Sequence, residues 1–215
     1  MSIAKGGLSW IVTSFLLTLI FIVITVFSDG LTKIISLFIA VILLLISFIL
    51  LLFFRDPQRI IGDDIVAVAD GKIREILEEK DKDVGASTKI STFMNVHNVH
   101  VNRMPIDGRI KDIVHLNGAH LPAFRKESEN NERVISIIDT EIGTVKIVQI
   151  AGTLARRIVP YIKKGDMIKK GEKIGIIRLG SRVDLYLPSK KIKSITVNVK
   201  DKIKAGEDTI AKIND

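Results

Sequence analysis

Gly165-Asp166-Met167-Ile168-Lys169-Lys170-Gly171-Glu172 recurs downstream as Lys200-Asp201-Lys202-Ile203-Lys204-Ala205-Gly206-Glu207. Each copy follows a β-branched run and has the form Asp-x-Ile-Lys-x-Gly-Glu, which reads as a turn between two short strands. Outward from these turns, short β-branched segments broken by Gly, Asp, Asn and Lys fill the chain. Residues 65–68, 90–93, 99–102, 109–115, 133–138, 144–150, 157–162, 173–177, 183–187 and 195–199 all read as strands. Their spacing of ~8–12 residues, with turn signals between, predicts an all-β sandwich or barrel. Helical periodicity is weak throughout this part. Residues 117–131 are polar and irregular and read as a loop over a site.

The repeated turn narrows the choice. Turns of this kind between short strands are typical of flattened hybrid barrels of the biotinyl/lipoyl-carrier type, built from two quasi-equivalent halves. No lysine sits at a Met-Lys-Met tip, so a carrier role is not favoured.

Two apolar runs precede the β part. Leu8–Phe27 is almost wholly apolar, and residues 34–54 carry no charge at all, with only the polar turn 28–33 between them. A membrane span needs ~20 apolar residues, and both runs are long enough. A cleaved signal peptide has a shorter apolar region ending at small residues, which the first run lacks. The expectation is a two-helix transmembrane hairpin over residues 1–54, followed by a folded domain over 55–215. Lys5 precedes the first run and Arg55 and Arg59 follow the second, while the turn offers only Lys33 beside Asp29. Positive flanks stay cytoplasmic, which places the domain on the cytoplasmic face of the cell membrane.

All but Lys5 and Lys33 of the 32 Lys and Arg, and all but Asp29 of the 24 Asp and Glu, lie from Arg55 onward, so the domain is net basic. No basic stripe is interleaved with aromatics, which argues against nucleic acid; anionic lipid headgroups are the simpler partner. The absence of cysteine excludes disulfides, thiolate metal sites and cysteine nucleophiles.

Few residues remain for chemistry. Leu179-Gly180-Ser181-Arg182 lies between two strand-like runs, and a Gly-Ser pair there is most simply a turn. Because Gly tolerates unusual backbone geometry, the Ser181 hydroxyl can also approach the Gly180 carbonyl. The four histidines are His97, His100, His115 and His120. In a strand over 99–102, His100 and Asn102 share one face while Val99 and Val101 turn to the core; His97 lies past a bend. His115 and His120 offer no diagnostic metal spacing, so no metal site is expected. Asp70, before Gly71, reads from spacing alone as a hairpin turn, with a histidine-orienting carboxylate as the alternative. Arg55-Asp56-Pro57-Gln58-Arg59 reads as a helix exit. Arg103, Arg133, Arg156 and Arg157 are candidate phosphate or carboxylate binders.

Taken in order, these residues resemble the short-form phosphatidylserine decarboxylase proenzymes, including the archaeal archaetidylserine decarboxylases. The resemblance runs through Phe53-Phe54-Arg55-Asp56-Pro57, Ala69-Asp70-Gly71-Lys72, Phe93-Met94-Asn95-Val96 and Val99-His100-Val101-Asn102-Arg103-Met104-Pro105. It continues through Ser128, Asn131-Glu132-Arg133, Gln149-Ile150-Ala151-Gly152 and Ala155-Arg156-Arg157-Ile158-Val159, and ends in 175–188 around Gly180-Ser181.

The resemblance implies a pyruvoyl enzyme that makes its own covalent cofactor. Ser181 would attack the Gly180 carbonyl, and the chain would divide into a β chain, 1–180, and an α chain, 181–215, held together as a heterodimer that could assemble further. His100 is implied as the base and Asp70 as its orienting carboxylate. The pyruvoyl group left at position 181 would form a Schiff base with the serine headgroup of a membrane phospholipid and take up the electrons released with carbon dioxide. His97 matches a second histidine that long-form members use near protonation, and Arg103 or Arg156 would hold the lipid phosphate. Val68 stands where the family often has proline, and Leu179 where it often has phenylalanine.

Two readings compete. A non-enzymatic membrane adaptor would explain the hairpin and the barrel, but not the ordered set of histidines, Asp70 and Gly-Ser. A membrane serine hydrolase would need a Gly-x-Ser-x-Gly elbow, which the chain lacks.

Overall fold

The computed structural model describes residues 2–118, 131–152, 157–178 and 181–214. The chain forms two compact units, Met1–Gln58 and Arg59–Asp215.

In the first unit, α1 (Leu8–Phe27) and α2 (Gly30–Phe53) are bracketed by β1 (Ser2–Ile3) and β2 (Arg55–Asp56), which pair antiparallel. The helices run antiparallel: the Phe15 ring meets Phe48 edge-on at 6.3 Å, and Thr25 Oγ1 lies 2.9 Å from Ser36 Oγ. The polar turn expected over 28–33 shrinks to Ser28 and Asp29, because Leu31-Thr32-Lys33 joins the helix. Hydropathy marks an apolar span, whereas a helix begins wherever backbone hydrogen bonds can close. The buried residues are mostly small or polar: Ser14 and Thr18 on α1, Ser36, Ala40 and Ser47 on α2. Their hydroxyls are satisfied within the helix, Ser14 by Ile11 O at 2.9 Å, Thr18 by Ser14 O and Ser47 by Leu43 O at 2.8 Å. Most of the Leu, Ile, Val and Phe side chains face outward. This inverts the pattern of a helix pair built for water.

The second unit is mainly β, as expected. Its strands are β3 (Ile65–Val66), β4 (Gly71–Asp81), β5 (Gly85–Met94), β6 (Val101–Arg103), β7 (Gly108–Leu116), β8 (Arg133–Thr140) and β9 (Gly143–Ala151). They continue with β10 (Ile158–Pro160), β11 (Met167–Ile168), β12 (Lys173–Ile177), β13 (Ser181–Pro188), β14 (Ile192–Ile195), β15 (Lys202–Ile203) and β16 (Thr209–Ile213). An antiparallel eight-stranded sheet runs β11-β7-β8-β9-β13-β5-β4-β15, and two three-stranded sheets run β10-β12-β6 and β14-β16-β3. The curled large sheet packs its apolar face, with Ile73, Ile90, Val134, Ile147, Val183 and Leu185, into the core.

The repeated turns supply both edges of the large sheet, β11 and β15. Their hydrogen bonds match pair by pair. Gly165 N donates to Ile110 O and Lys200 N to Ile73 O, both at 2.8 Å; Ile110 N returns to Asp166 O and Ile73 N to Asp201 O, both at 2.9 Å. Gly171 N reaches Met104 O and Gly206 N reaches Ala67 O, both at 2.8 Å. The two copies meet where both glycines have positive φ, +81° and +75°, so a side chain at either position would be strained. A Cβ on Gly171 would run into Ile61, and one on Gly206 would lie 2.8 Å from Arg103 Cδ.

Two strand expectations are corrected. Gly71–Asp81, rich in Glu and Lys, carries no strand signal, yet β4 pairs with β5 along its length; a partner ladder overrides weak propensity. The strand expected over 195–199 ends at Ile195, because Asp201 Oδ2 captures the Asn198 N–H at 2.7 Å and turns the chain.

Candidate active site

Ser181 is the first residue of β13, between β5 and β9, opposite Met94 on one side and Ala151 on the other. It shares the core face of β13 with Val183 and Leu185, and is fully buried. Its Oγ has no hydrogen-bond partner among the described residues. Gly180 lies outside the described residues.

Three stretches of chain are drawn to this point by backbone hydrogen bonds. His100 O accepts from Ile177 N at 3.3 Å, tying His100 to the end of β12, a short step before Ser181. Arg103 N donates to Val68 O at 2.8 Å, bringing the segment that holds Asp70 alongside β6. His100 itself is fully buried, and its Nδ1 lies 2.9 Å from Asn98 O. A carbonyl only accepts, so the ring proton sits on Nδ1 and Nε2 is the basic nitrogen. Val99, His100, Val101 and Asn102 are all buried, so burial does not distinguish the two faces expected here.

Asp70 is not the exposed hairpin turn that its spacing suggests. Its Oδ1 accepts from Ala205 N at 2.8 Å, and Arg59 Nη2 lies 2.9 Å from Oδ1 and 2.8 Å from Oδ2. Arg59 Nη1 also reaches Glu207 Oε2 at 2.9 Å. Arg59 and then Lys204 hold the Glu207 carboxyl below its ordinary range. Sequence reasoning placed Arg59 at a helix exit and missed this role; nothing local marks it.

The other candidates fall as follows. His97 is exposed on the Asn95–Asn98 turn that follows Met94, closed by Asn98 N to Asn95 O at 2.9 Å. Arg103 is buried and gives Nη1 to Gly171 O at 2.9 Å, at the meeting of the repeated turns. His115 Nε2 lies 2.8 Å from Glu132 Oε1, which also accepts from Ile158 N at 3.2 Å. Arg156, His120 and Ser128, and residues 119–130 of the expected loop, lie outside the described residues. Among the described residues no group of three His, Asp or Glu is placed to hold a metal ion.

Three polar residues from the quoted motifs, to which the sequence assigned no role, are tied to the strand neighbours of Ser181. Gln149 Nε2 donates to Asn102 Oδ1 at 2.7 Å, and Asn102 Nδ2 lies 3.7 Å from Met94 Sδ, which faces Ser181. Asn131 Nδ2 donates to Ala151 O at 2.7 Å, and Ala151 N to Glu132 O at 2.9 Å, fixing the other neighbour of Ser181.

Comparison with known proteins adds an independent finding. The profile of the phosphatidylserine decarboxylase family matches residues 47–211. A protein of Methanococcoides burtonii with the provisional name archaetidylserine decarboxylase proenzyme is 44% identical over 213 residues, 98% of this chain and 96% of that protein. A similarly named protein of Methanosarcina mazei is 39% identical over 214 residues, 98% of this chain and 97% of its own. The phosphatidylserine decarboxylase proenzyme of Streptomyces griseus is 51% identical over 140 residues, 65% of this chain and 63% of that protein.

Proposed function

The chain belongs to the phosphatidylserine decarboxylase family, and we propose that it is a membrane-tethered proenzyme that divides itself between Gly180 and Ser181 and then decarboxylates the serine headgroup of a phospholipid. The family acts in phospholipid biosynthesis; phosphatidylserine or archaetidylserine is the substrate and the ethanolamine lipid the product. The observation that carries the reading is the buried Ser181 Oγ at the head of β13, without a hydrogen-bond partner among the described residues, with His100 tied to the strand end before it.

In the self-cleavage, His100 Nε2 takes the hydroxyl proton of Ser181 while the Asn98 carbonyl holds Nδ1–H. Oγ adds to the Gly180 carbonyl carbon, the peptide C–N bond breaks as the imidazolium returns its proton to the departing nitrogen, and an ester and a free amine are left. Loss of the residue 181 Cα proton breaks the Cβ–Oγ bond and releases the chain ending in the Gly180 carboxylate. The dehydroalanine left at position 181 takes up water and loses ammonia, which gives a pyruvoyl group. Asp70, kept in place by Arg59 and the Ala205 N–H, is proposed as the carboxylate that orients His100.

The residues fit that group: a buried serine heading a strand, a basic imidazole nitrogen and, among the described residues, no competing hydrogen bond on Oγ. The pyruvoyl carbonyl would condense with the headgroup amine and accept the electron pair released with carbon dioxide. His97, exposed on the turn after Met94, is the group proposed to return a proton to the substrate carbon. The chains 1–180 and 181–215 stay together because β13 is central in the sheet, paired on both edges.

The hairpin is proposed to span the membrane with the domain on the cytoplasmic side. Its two helices are long and apolar enough to cross, and they pack through Ser, Thr and Ala while turning most of their large apolar side chains outward.

Intact mass spectrometry of the purified protein tests the proposal. Two chains are expected, the smaller beginning with a pyruvoyl group, whereas Ser181→Ala stays as one chain. An undivided wild type that releases carbon dioxide from the lipid overturns it.

A further inference from the structure

The face of the large sheet turned away from the apolar core carries charge. Alternation along β13 sends Val183 and Leu185 to the core and Arg182, Asp184 and Tyr186 to the other face. There a cleft of about 400 Å³ is lined by Arg133, Arg182, Asp184, Lys89, Lys146 and Ile150, among others.

Buried charges are tolerated only when compensated, so the partners of each decide what remains for a ligand. Lys146 Nζ meets Asp81, lies 3.4 Å from Asp83, and stands 4.3 Å over the Tyr186 ring. Lys89 Nζ is 3.2 Å from Glu75 and 3.9 Å from Glu79. Arg182 Nη2 is 3.0 Å from Asp184 Oδ2. Two groups are left over. The Arg133 guanidinium pairs with no carboxylate among the described residues. Asp184 is 2% exposed, and its Oδ1 has no hydrogen-bond partner among the described residues.

The register brings these groups to one place. Arg133 and Arg182 are both cross-strand neighbours of Ile150, one on each side of β9. Their backbones are therefore ~10 Å apart, two strand spacings, and their long side chains rise from the same face. Two guanidinium groups lining one cleft offer an oxyanion, most favourably a phosphate, charge and paired donors. Burial pushes the Asp184 carboxyl up, against the pull of Arg182.

We propose that this cleft is a phosphate subsite in which Arg133 and Arg182 hold the phosphodiester of the lipid headgroup. The inference rests on the decarboxylase reading above. Arg182 adjoins Ser181, and Ile150 adjoins Ala151, the strand partner of Ser181. Headgroup phosphate and amine are separated by two carbons and one ester oxygen, a span comparable with one strand residue of ~3.4 Å. The Cα of residue 181, which becomes the electrophilic carbon, lies in the plane of the sheet. In this proposal, release of the preceding chain opens that carbon to a headgroup held on this face.

The test has a binding arm and a kinetic arm. Inorganic phosphate and glycerophosphoserine are titrated by calorimetry into the full-length Ser181→Ala chain in detergent, with and without Arg133→Gln. In the processing background, Arg133→Gln is measured for self-cleavage and for KM and kcat on lipid in mixed micelles. We expect normal cleavage, about tenfold weaker binding of both anions, and a KM about tenfold higher with kcat nearly unchanged. Arg133→Lys, which keeps the charge but not the fork, should recover part of both losses. Weaker phosphate binding with an unchanged KM would mean that the cleft takes a free phosphate, overturning the headgroup assignment. Unchanged binding and unchanged KM would overturn the subsite altogether. Failure of the decarboxylase reading is separately visible, as a wild type that neither divides nor releases carbon dioxide, while the calorimetric arm still reports on the cleft.

Discussion

Arg59 Nη2 contacts both carboxylate oxygens of Asp70, at 2.9 and 2.8 Å, and both side chains are nearly inaccessible to water. A buried pair of this kind adds little over an apolar replacement of the whole, but removing one partner strands the other charge. Arg59→Gln should therefore destabilise the domain by about 3 kcal/mol, read as a lower urea midpoint at unchanged slope. A midpoint equal to that of the wild type would mean that Asp70 is held by other contacts.

Asp70 has a counterpart in the other half of the barrel. Asp107 Oδ1 accepts the Lys170 N–H at 2.7 Å, as Asp70 Oδ1 accepts that of Ala205 at 2.8 Å. The Lys170 N–H and the Lys169 ammonium hold the Asp107 carboxyl below its ordinary range. Pinning the repeated turn is thus a shared structural duty, and Asp70 alone is proposed to act on His100 as well. Asp107→Asn should cost about 1 kcal/mol, and Asp70→Asn, which leaves Arg59 without this partner, about 3 kcal/mol. Only Asp70→Asn should slow self-cleavage, by about a hundredfold, followed as the loss of the uncut band over time. Equal cleavage rates in the two variants would reduce Asp70 to fold support.

His97→Ala separates the two chemistries. His97 is exposed and His100 buried, so the substitution leaves the processing machinery and the core untouched. Cleavage should go to completion while product formation falls by about a hundredfold. Full turnover on lipid would remove His97 from the mechanism.

Asp184 gives a pH signature. Burial raises its carboxyl above the ordinary 3.8 despite Arg182 beside it. A raised acid binds its proton more tightly in the folded state than in the unfolded state. Its contribution is therefore fully present below 3.8 and is lost as pH rises from there through the folded value. Asp184→Asn, which cannot titrate, should lack this downward component. Urea midpoints measured at steps of pH for both proteins should diverge in slope, and parallel curves would contradict the raised carboxyl.

Much of the fold was legible because it rests on short-range patterns. The first apolar run declared the length of α1, and the Asp-x-Ile-Lys-x-Gly-Glu repeat marked the two sheet edges. A second signal of the same duplication, Ala69-Asp70-Gly71-Lys72-Ile73 against Ile106-Asp107-Gly108-Arg109-Ile110, is also present in the chain. It explains why Asp70 looked like an ordinary turn: in one half of the barrel that is all such a residue does. β4 stayed hidden because its Glu and Lys become strand only through the ladder to β5.

The sequence alone determined the chemical inventory: one Gly-Ser pair in an ordered series of motifs, four histidines, no cysteine and two apolar helices. The tertiary structure decided how that inventory is used. It joined Arg59 to Asp70, committed Arg103 to the Gly171 carbonyl, and set Arg133 and Arg182 on either side of Ile150. Local propensity and hydropathy act over a few residues. Contacts such as Ala205 N to Asp70 Oδ1, 135 residues apart in the chain, follow only from strand register and the closing of the barrel.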